Sequence, residues 1–597
     1  MKGDTRISVR LCRSIAATAV LLLVVAAFSS PIASAAIPCG CGEICTNETG
    51  WWHAGGDFNA ATNPLSAAVG AANAGDTICV KDGTYRESVQ ISKNHLTLRS
   101  ENGTANCIVN ASGVHGFHVA PESSYVNISG FTLENATSNP WWSAGVIVEG
   151  SHCNISYNLA KNNFYGINIE GGDYNLISYN DASYNSQTGI KATDTANYNT
   201  FSNNTASHNR DGNGICLCNN CDHNTLTGNT AEHNTANGFL LQQGCDYNQL
   251  KNNNQANSNT QHGFYLYDNC DHNSFSDSTA TYNAYGFYLY NNCDYNSFSE
   301  NTVRHNTQDG FLLQESSCNN MLTNNIVEQN NYGMYLINSC SYNTLSGNTV
   351  RYSSQQGIAL ADCDHNTLTG NTASQNTHDN IHLENSHYNN LTGNKALSST
   401  QCDGIDLGAS HHNNVTNNKA SSNTDRGIKI RNSTDNTVTE NTVLDNSNCG
   451  IHIENTTNSN FSCNWVQDNS NYGFGLCGGS TGNTVQHNNI LTNGDAQADG
   501  SYHWQFYNCQ SNAVTATNNY WGPEMNQTKI ENSIYDDDEN AEFGEVTFVP
   551  FNEGSNPCAP VPDLSAAVLF ASGLVLAAVY FVCERKFCKM LDEQSKK

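Results

Sequence analysis

The chain has 597 residues and carries 25 Lys+Arg against 54 Asp+Glu, a formal charge of −29, yet only 13% of it is charged. Its polar surface is Asn, Ser and Thr rather than charge, and no basic stripe offers itself to a phosphate backbone, which argues against nucleic acid as a partner. The 24 cysteines suit disulfide formation in an exported chain.

Residues 1–35 read as a signal peptide. Lys2, Arg6, Arg10 and Arg13 form a basic start, Ile15–Phe28 is apolar, and Ala33-Ser34-Ala35 suits a signal peptidase. Residues 36–62 hold Cys39, Cys41 and Cys45 in a Cys-Gly-Cys-Gly-Glu-Ile-Cys run. It reads as a disulfide-tied flap, because no fourth metal ligand lies nearby. Residues 63–144 are a cap and opening rungs. Asn63 and Pro64 open a helix to about Ala74, with Leu65, Ala68, Val69 and Ala72 on one side. Strands are predicted at Thr77–Val80, Ser88–Ile91 and Leu96–Leu98, and the run from Asn139 to Trp142 is predicted to loop out.

From 145 to 515 the chain repeats. Gly recurs at 145, 166, 189, 214, 238, 263, 286, 310, 333, 357, 404, 427, 450 and 473, with Asn380 in one slot. The spacing of roughly 23 residues is that of a solenoid. Each unit has three short apolar beats: Gly-Φ-x-Φ (Phe264, Leu266), Asn-x-Φ (Asn273, Phe275) and Asn-x-Ala/Val (Asn301, Val303). Alternation with period two makes each beat a strand, and none is long enough for a helix. Three strands per rung without a crossover helix predict a parallel β-helix, all-β, with each strand paired to its copy one rung on. Two Asn columns recur in register. One runs through Asn224, Asn248, Asn273, Asn296, Asn343, Asn366, Asn389 and Asn413, the other through Asn229, Asn253, Asn301, Asn325, Asn348, Asn371, Asn394 and Asn418. Both are expected at corners, where Asn tolerates a left-handed backbone and stacked amides hydrogen-bond along the axis.

Residues 516–556 form a closing element, with Asn518-Asn519-Tyr520-Trp521-Gly522 breaking the repeat. The acidic run Asp536–Glu539 reads as a solvated loop, with calcium as the alternative. A stalk, 557–563, leads to a predicted transmembrane helix at 564–583, followed by Arg585, Lys586 and Lys589 in a cytoplasmic tail, 584–597. The expected placement is a single pass of the cell membrane with the rod outside.

These units resemble the right-handed parallel β-helix repeats of pectate-lyase-like proteins, of carbohydrate-binding and sugar-hydrolase (CASH) domains and of the NosD-type copper-accessory family. The resemblance implies a right-handed coil. It leaves activity open, since that fold hosts lyases, hydrolases, epimerases, adhesins and binding proteins.

Three constellations carry chemistry. Cys221, Cys245, Cys270, Cys293, Cys340 and Cys363 share one slot, taken later by Ser386, Ser410, Ser433 and Thr456. That reads first as a small-side-chain core slot. Stacked thiols at Cys221, Cys245, Cys270 and Cys293 would also suit Cu(I), and disulfides between rungs are a third reading. Tyr265, Tyr267, Tyr288, Tyr290 and Tyr335 are predicted to point outward as a flat platform for sugar rings, a ligand-binding face for a glycan or envelope polymer. Further along the same columns stand His382, Asp406 and Lys429, with Glu384 and Arg431 beside them. These are the acid, base and cation that a polysaccharide lyase or hydrolase needs, or else a salt-bridged surface.

Overall fold

The computed structural model describes residues 39–111, 113–138 and 142–562. The expected signal peptide, membrane helix and tail lie outside the described residues. Among the described residues no helix is long and apolar enough to cross a membrane.

The described chain is a β-solenoid of three parallel sheets. One rung shows the logic. His262–Tyr267, Ser274–Ser276 and Thr279–Thr281 pair in parallel with Tyr285–Tyr290, Ser297–Ser299 and Thr302–Arg304 of the next rung. Like residues therefore stack on like inside the coil: Phe264 on Phe287 at 4.5 Å and Phe275 on Phe298 at 4.9 Å between ring centroids. A single apolar core runs from Ile44 to Phe548. The repeated Gly is required by close approach. A Cβ on Gly286 would lie 2.3 Å from Val303 Cγ1 and 2.5 Å from the Gly310 carbonyl oxygen.

The Asn columns are buried hydrogen-bond ladders. Asn273 N–H donates to Asn296 Oδ1 (2.8 Å), and Asn296 Nδ2 donates to the Cys270 carbonyl (2.9 Å). Two details differ from expectation. The second column passes through Asn254, not Asn253, because the turn after Leu250 is one residue longer. Asn229 N–H donates to Asn254 Oδ1, while Asn253 is exposed. The left-handed backbone falls on the residue before the ladder Asn, as at His272 (φ 57°) and Tyr295 (φ 56°), not on the Asn itself. A third ladder, through Asn185, Asn209, Asn234 and Asn259, was not read from the sequence.

Left-handed geometry costs an L-residue with a bulky side chain about 1–2 kcal/mol. Here the rings that stand on it stack on one another. From His95 through Tyr125, His152, Tyr174, Tyr198, His223, Tyr247 and His272 to Tyr295, centroids are 4.7 to 5.1 Å apart. Stacking of this kind offsets part of that cost.

The ends are sealed as a solenoid requires. Helix α1, Pro64–Ala71, covers the first rungs. Asn63 does not cap it. Leu65 N–H and Ser66 N–H donate instead to the Glu87 carboxylate, each at 2.9 Å. The flap strand Ile44–Asn47 pairs antiparallel with Gly50–His53 and parallel with Thr77–Val80. It is held by the disulfides Cys39–Cys45 and Cys41–Cys79. At the far end Trp521 is buried in the core and Cys477–Cys509 links two rungs. Cys558, in the segment read as a stalk, is bonded to Cys463. The acidic run is largely solvated, as expected: Asp537, Asp538 and Glu539 are exposed, and Asp536 alone is buried. Asp536 accepts from Asp538 N–H and Val546 N–H, and Glu539 accepts from Asp536 N–H. These bonds tie Asp536 and Glu539 into the loop's own turn.

Candidate functional site

The outer face of the Gly-Φ-x-Φ sheet gathers the chemistry-bearing side chains. Parallel register turns each outward position into a column. One reads Leu240, Tyr265, Tyr288, Leu312, Tyr335, Ala359, His382, Asp406, Lys429, His452. Its neighbour includes Tyr267, Tyr290, Gln314, Glu384, Gly408 and Arg431. A third column, absent from the sequence reading, is the residue before each Gly, or before Asn380 in its slot: His262, Tyr285, Asp309, Tyr332, Gln356, Asp379, Asp403, Arg426, Cys449 and Tyr472. Strict alternation from Gly would place it inside. The repeated Gly itself faces the Ala/Val strand, so the residue ahead of it is free to face out.

The tyrosines do point outward, but the platform is not flat. Tyr265 stacks on Tyr288 (5.1 Å, 18°) and Tyr267 on Tyr290 (5.9 Å, 11°), with ring planes facing along the rod. The faces are therefore turned to neighbouring rungs, and edges and hydroxyls remain for a ligand. Tyr335 stacks on Tyr332 (4.6 Å), two rungs on. His262 packs edge-on against Tyr265, Tyr285 and Tyr288. Tyr288 donates its hydroxyl to Gln314 Oε1 (2.8 Å), and burial pushes the Tyr265 and Tyr288 phenols up.

The charged residues do meet, with partners that the sequence did not single out. His382 Nδ1 lies 3.3 Å from Asp379 Oδ2 and 3.2 Å from Asp406 Oδ2. Arg431 reaches Glu384 Oε2 (2.6 Å) and Asp406 Oδ2 (3.2 Å). Arg431, not Lys429, is the cation paired with Asp406; Lys429 stands in register between Asp406 and His452. Burial alone would lower the His382 pKa, but the Asp379 and Asp406 carboxylates outweigh it and raise it to about 9. Asp406 moves the other way: burial pulls its pKa up, yet His382 and Arg431 bring it below the usual carboxylate range. Burial pushes Asp403 up to about 7 against the pull of Arg426. His452, buried beside Arg426 and Lys429, is lowered to about 4, and its Nδ1 lies 3.1 Å from the Tyr472 hydroxyl.

The thiol column is inside the coil. Cys221, Cys245, Cys270 and Cys293 are free and fully buried. Cys221 Sγ donates to the Cys218 carbonyl (3.0 Å) and Cys245 Sγ to the Gln242 carbonyl (3.1 Å). Burial pushes the Cys245 and Cys270 thiols up, away from the thiolate that Cu(I) requires. These residues do not fit a copper site; they fit the small-side-chain slot. No disulfide joins them.

The family described as right handed beta helix region matches residues 115–280 and 336–490, more than half of the chain. The family described as periplasmic copper-binding protein (NosD) matches residues 289–379. Comparison with curated proteins finds no match. Among solved structures, a mutant of the periplasmic alginate epimerase AlgG is similar at 14% identity and TM-score 0.37, covering 45% of this chain and 76% of that one. The catalytic domain of a GH87 alpha-1,3-glucanase is similar at 12% identity and TM-score 0.33, covering 60% and 68%. Pectate lyase Pel9A is similar at 17% identity and TM-score 0.28, covering 56% and 74%.

Proposed function

We propose, from the premise that this chain belongs to the right-handed β-helix family, that it is an exported, surface-tethered rod that binds a linear glycan or envelope polymer along its Gly-Φ-x-Φ sheet. One observation carries the reading. Three in-register columns put tyrosine hydroxyls, carboxylates, imidazoles and guanidinium groups on one continuous face, from His262 to Tyr472 and beyond to Tyr507 and Tyr535. A polymer lying along the axis meets a repeat about every 4.8 Å. Weak contacts at many rungs then add through multivalency. Five disulfides in the described chain support export to an oxidising compartment. The membrane tether rests on the apolar run at 564–583.

We place binding ahead of turnover because the ionic groups are committed to one another. Arg431 is engaged by Glu384 and Asp406, and Arg426 by Asp403 and Asp425. The test is a glycan-array screen of the full-length protein, followed by titration of the best hit. Replacing Tyr265→Phe together with Tyr288→Phe removes two hydroxyls and keeps the stack, and should weaken binding at least fivefold. Unchanged binding would sink the strip reading. Turnover of the hit, abolished by Asp406→Ala, would move the protein into the enzyme class.

A further inference from the structure

The geometry points to a divalent-metal site on this sheet, formed by Asp379, His382 and Asp406. One ligand atom from each lies within 4.8 Å of the others. Donors bound at about 2.1 Å around one ion stand roughly 3.0 to 3.4 Å apart in octahedral or tetrahedral shells. The two separations from His382 Nδ1, 3.3 Å to Asp379 Oδ2 and 3.2 Å to Asp406 Oδ2, fall in that range.

A second observation is independent of the clustering. His382 Nδ1 and Asp406 Oδ1 are both shielded from solvent and neither has a hydrogen-bond partner. Asp406 is only 4% exposed. The nitrogen is near two carboxylate oxygens without being aimed as a donor at either. Buried polar atoms of this kind are normally satisfied, and an ion is one way to satisfy them.

The frame is rigid. His382 and Asp406 are paired across adjacent strands, Ile381–Glu384 and Ile405–Gly408, and Asp379 is fixed by accepting Asp403 N–H at 3.0 Å. The charge balance is also suitable. Carboxylates outnumber the permanent cations here: Asp403 and Asp425 pair with Arg426, and Glu384 and Asp406 with Arg431, while Asp379 has no Arg or Lys partner within ion-pair distance. Arg431 is the closest opposing charge, and its shortest contact is to Glu384 rather than to Asp406. One imidazole with two carboxylates suits Zn2+ or a similar borderline ion, not Cu(I), which prefers thiolate and thioether. The site is thus separate from the cysteine column.

The experiment is calorimetric titration of the chelator-treated full-length protein with Zn2+ alone. One Zn2+ per chain is expected. His382→Gln and Asp406→Asn should each weaken it at least tenfold. Cys402→Ser and His411→Gln, which remove a thiol beside His378 and an imidazole stacked on His387, should leave it unchanged. Co2+ bound to the unaltered protein should give d–d bands without a thiolate charge-transfer band, a readout that needs no variant to fold. Absence of stoichiometric Zn2+, full retention in His382→Gln, or a strong thiolate band would each overturn the assignment.

Discussion

Replacing Asn296 by Ala tests the ladder that holds the rungs together. Asn296 Oδ1 accepts Asn273 N–H at 2.8 Å, and Nδ2 donates to the Cys270 carbonyl at 2.9 Å. Its own N–H donates to Asn320 Oδ1, and alanine keeps that bond. The substitution thus orphans one buried donor and one buried acceptor. At about 1–3 kcal/mol for each unsatisfied group, partly relieved by relaxation, the loss should be about 2–4 kcal/mol. A serine variant sharpens the test, because serine already serves at one ladder position. Ser459 Oγ accepts Asn436 N–H at 3.0 Å but turns its own proton to the Thr457 carbonyl. Asn296→Ser should therefore keep the acceptor half and cost about half as much. The neighbour Ser297 faces outward, and Ser297→Ala should stay within about 0.5 kcal/mol. The assay is equilibrium urea unfolding followed by circular dichroism, with the midpoint shift read at constant m-value. Equal losses at positions 296 and 297 would refute the register. Equal losses for Ala and Ser at 296 would refute the hydrogen-bond account.

Gly286→Ala should cost about 1–3 kcal/mol through overpacking against Val303 and the Gly310 carbonyl; a neutral melting temperature would contradict the close approach. Because the folded His382 pKa of about 9 lies above its unfolded value, the cluster's contribution to stability is complete below pH 6.5 and is lost as pH rises through 9. In chelator, His382→Gln should remove a few kcal/mol at pH 6 and little at pH 10; a pH-independent difference between variant and parent would count against it. Cys558→Ser opens a bond spanning 95 residues. It should cost about 2–4 kcal/mol and render the closing element sensitive to limited proteolysis; resistance equal to the parent would show that the tie is dispensable.

Much of this fold is legible because the repeat states it many times. A Gly every rung, apolar beats with period two and Asn before each beat have one compact arrangement, and a coil follows without any knowledge of contacts. What stayed hidden depends on single-residue details. One extra residue after Leu250 moves the ladder from Asn253 to Asn254, and in an Asn-Asn-Asn run no pattern distinguishes them. The column of Asp379, Asp403 and Arg426 was missed because strict alternation assigns the residue before Gly to the inside. Only the packing of Gly against the Ala/Val strand reverses it.

The tyrosine face shows the deeper reason. Alternation decides which side of the sheet a side chain leaves from, but not how its ring is turned. In a parallel, in-register column the same residue recurs about every 4.8 Å, close to the spacing at which aromatic rings stack. Tyr265 and Tyr288 accordingly satisfy each other first, at 5.1 Å. The same holds in the turn before the Asn-x-Φ strand, where His272 and Tyr295 stack at 5.0 Å. Like residues repeated at rung spacing turn their faces inward along the stack and leave edges outward. A ligand on such a face is held by hydroxyls and ring edges. The substitution that best discriminates is therefore Tyr→Phe, which leaves the stack and the ring edges in place and removes only the hydroxyl.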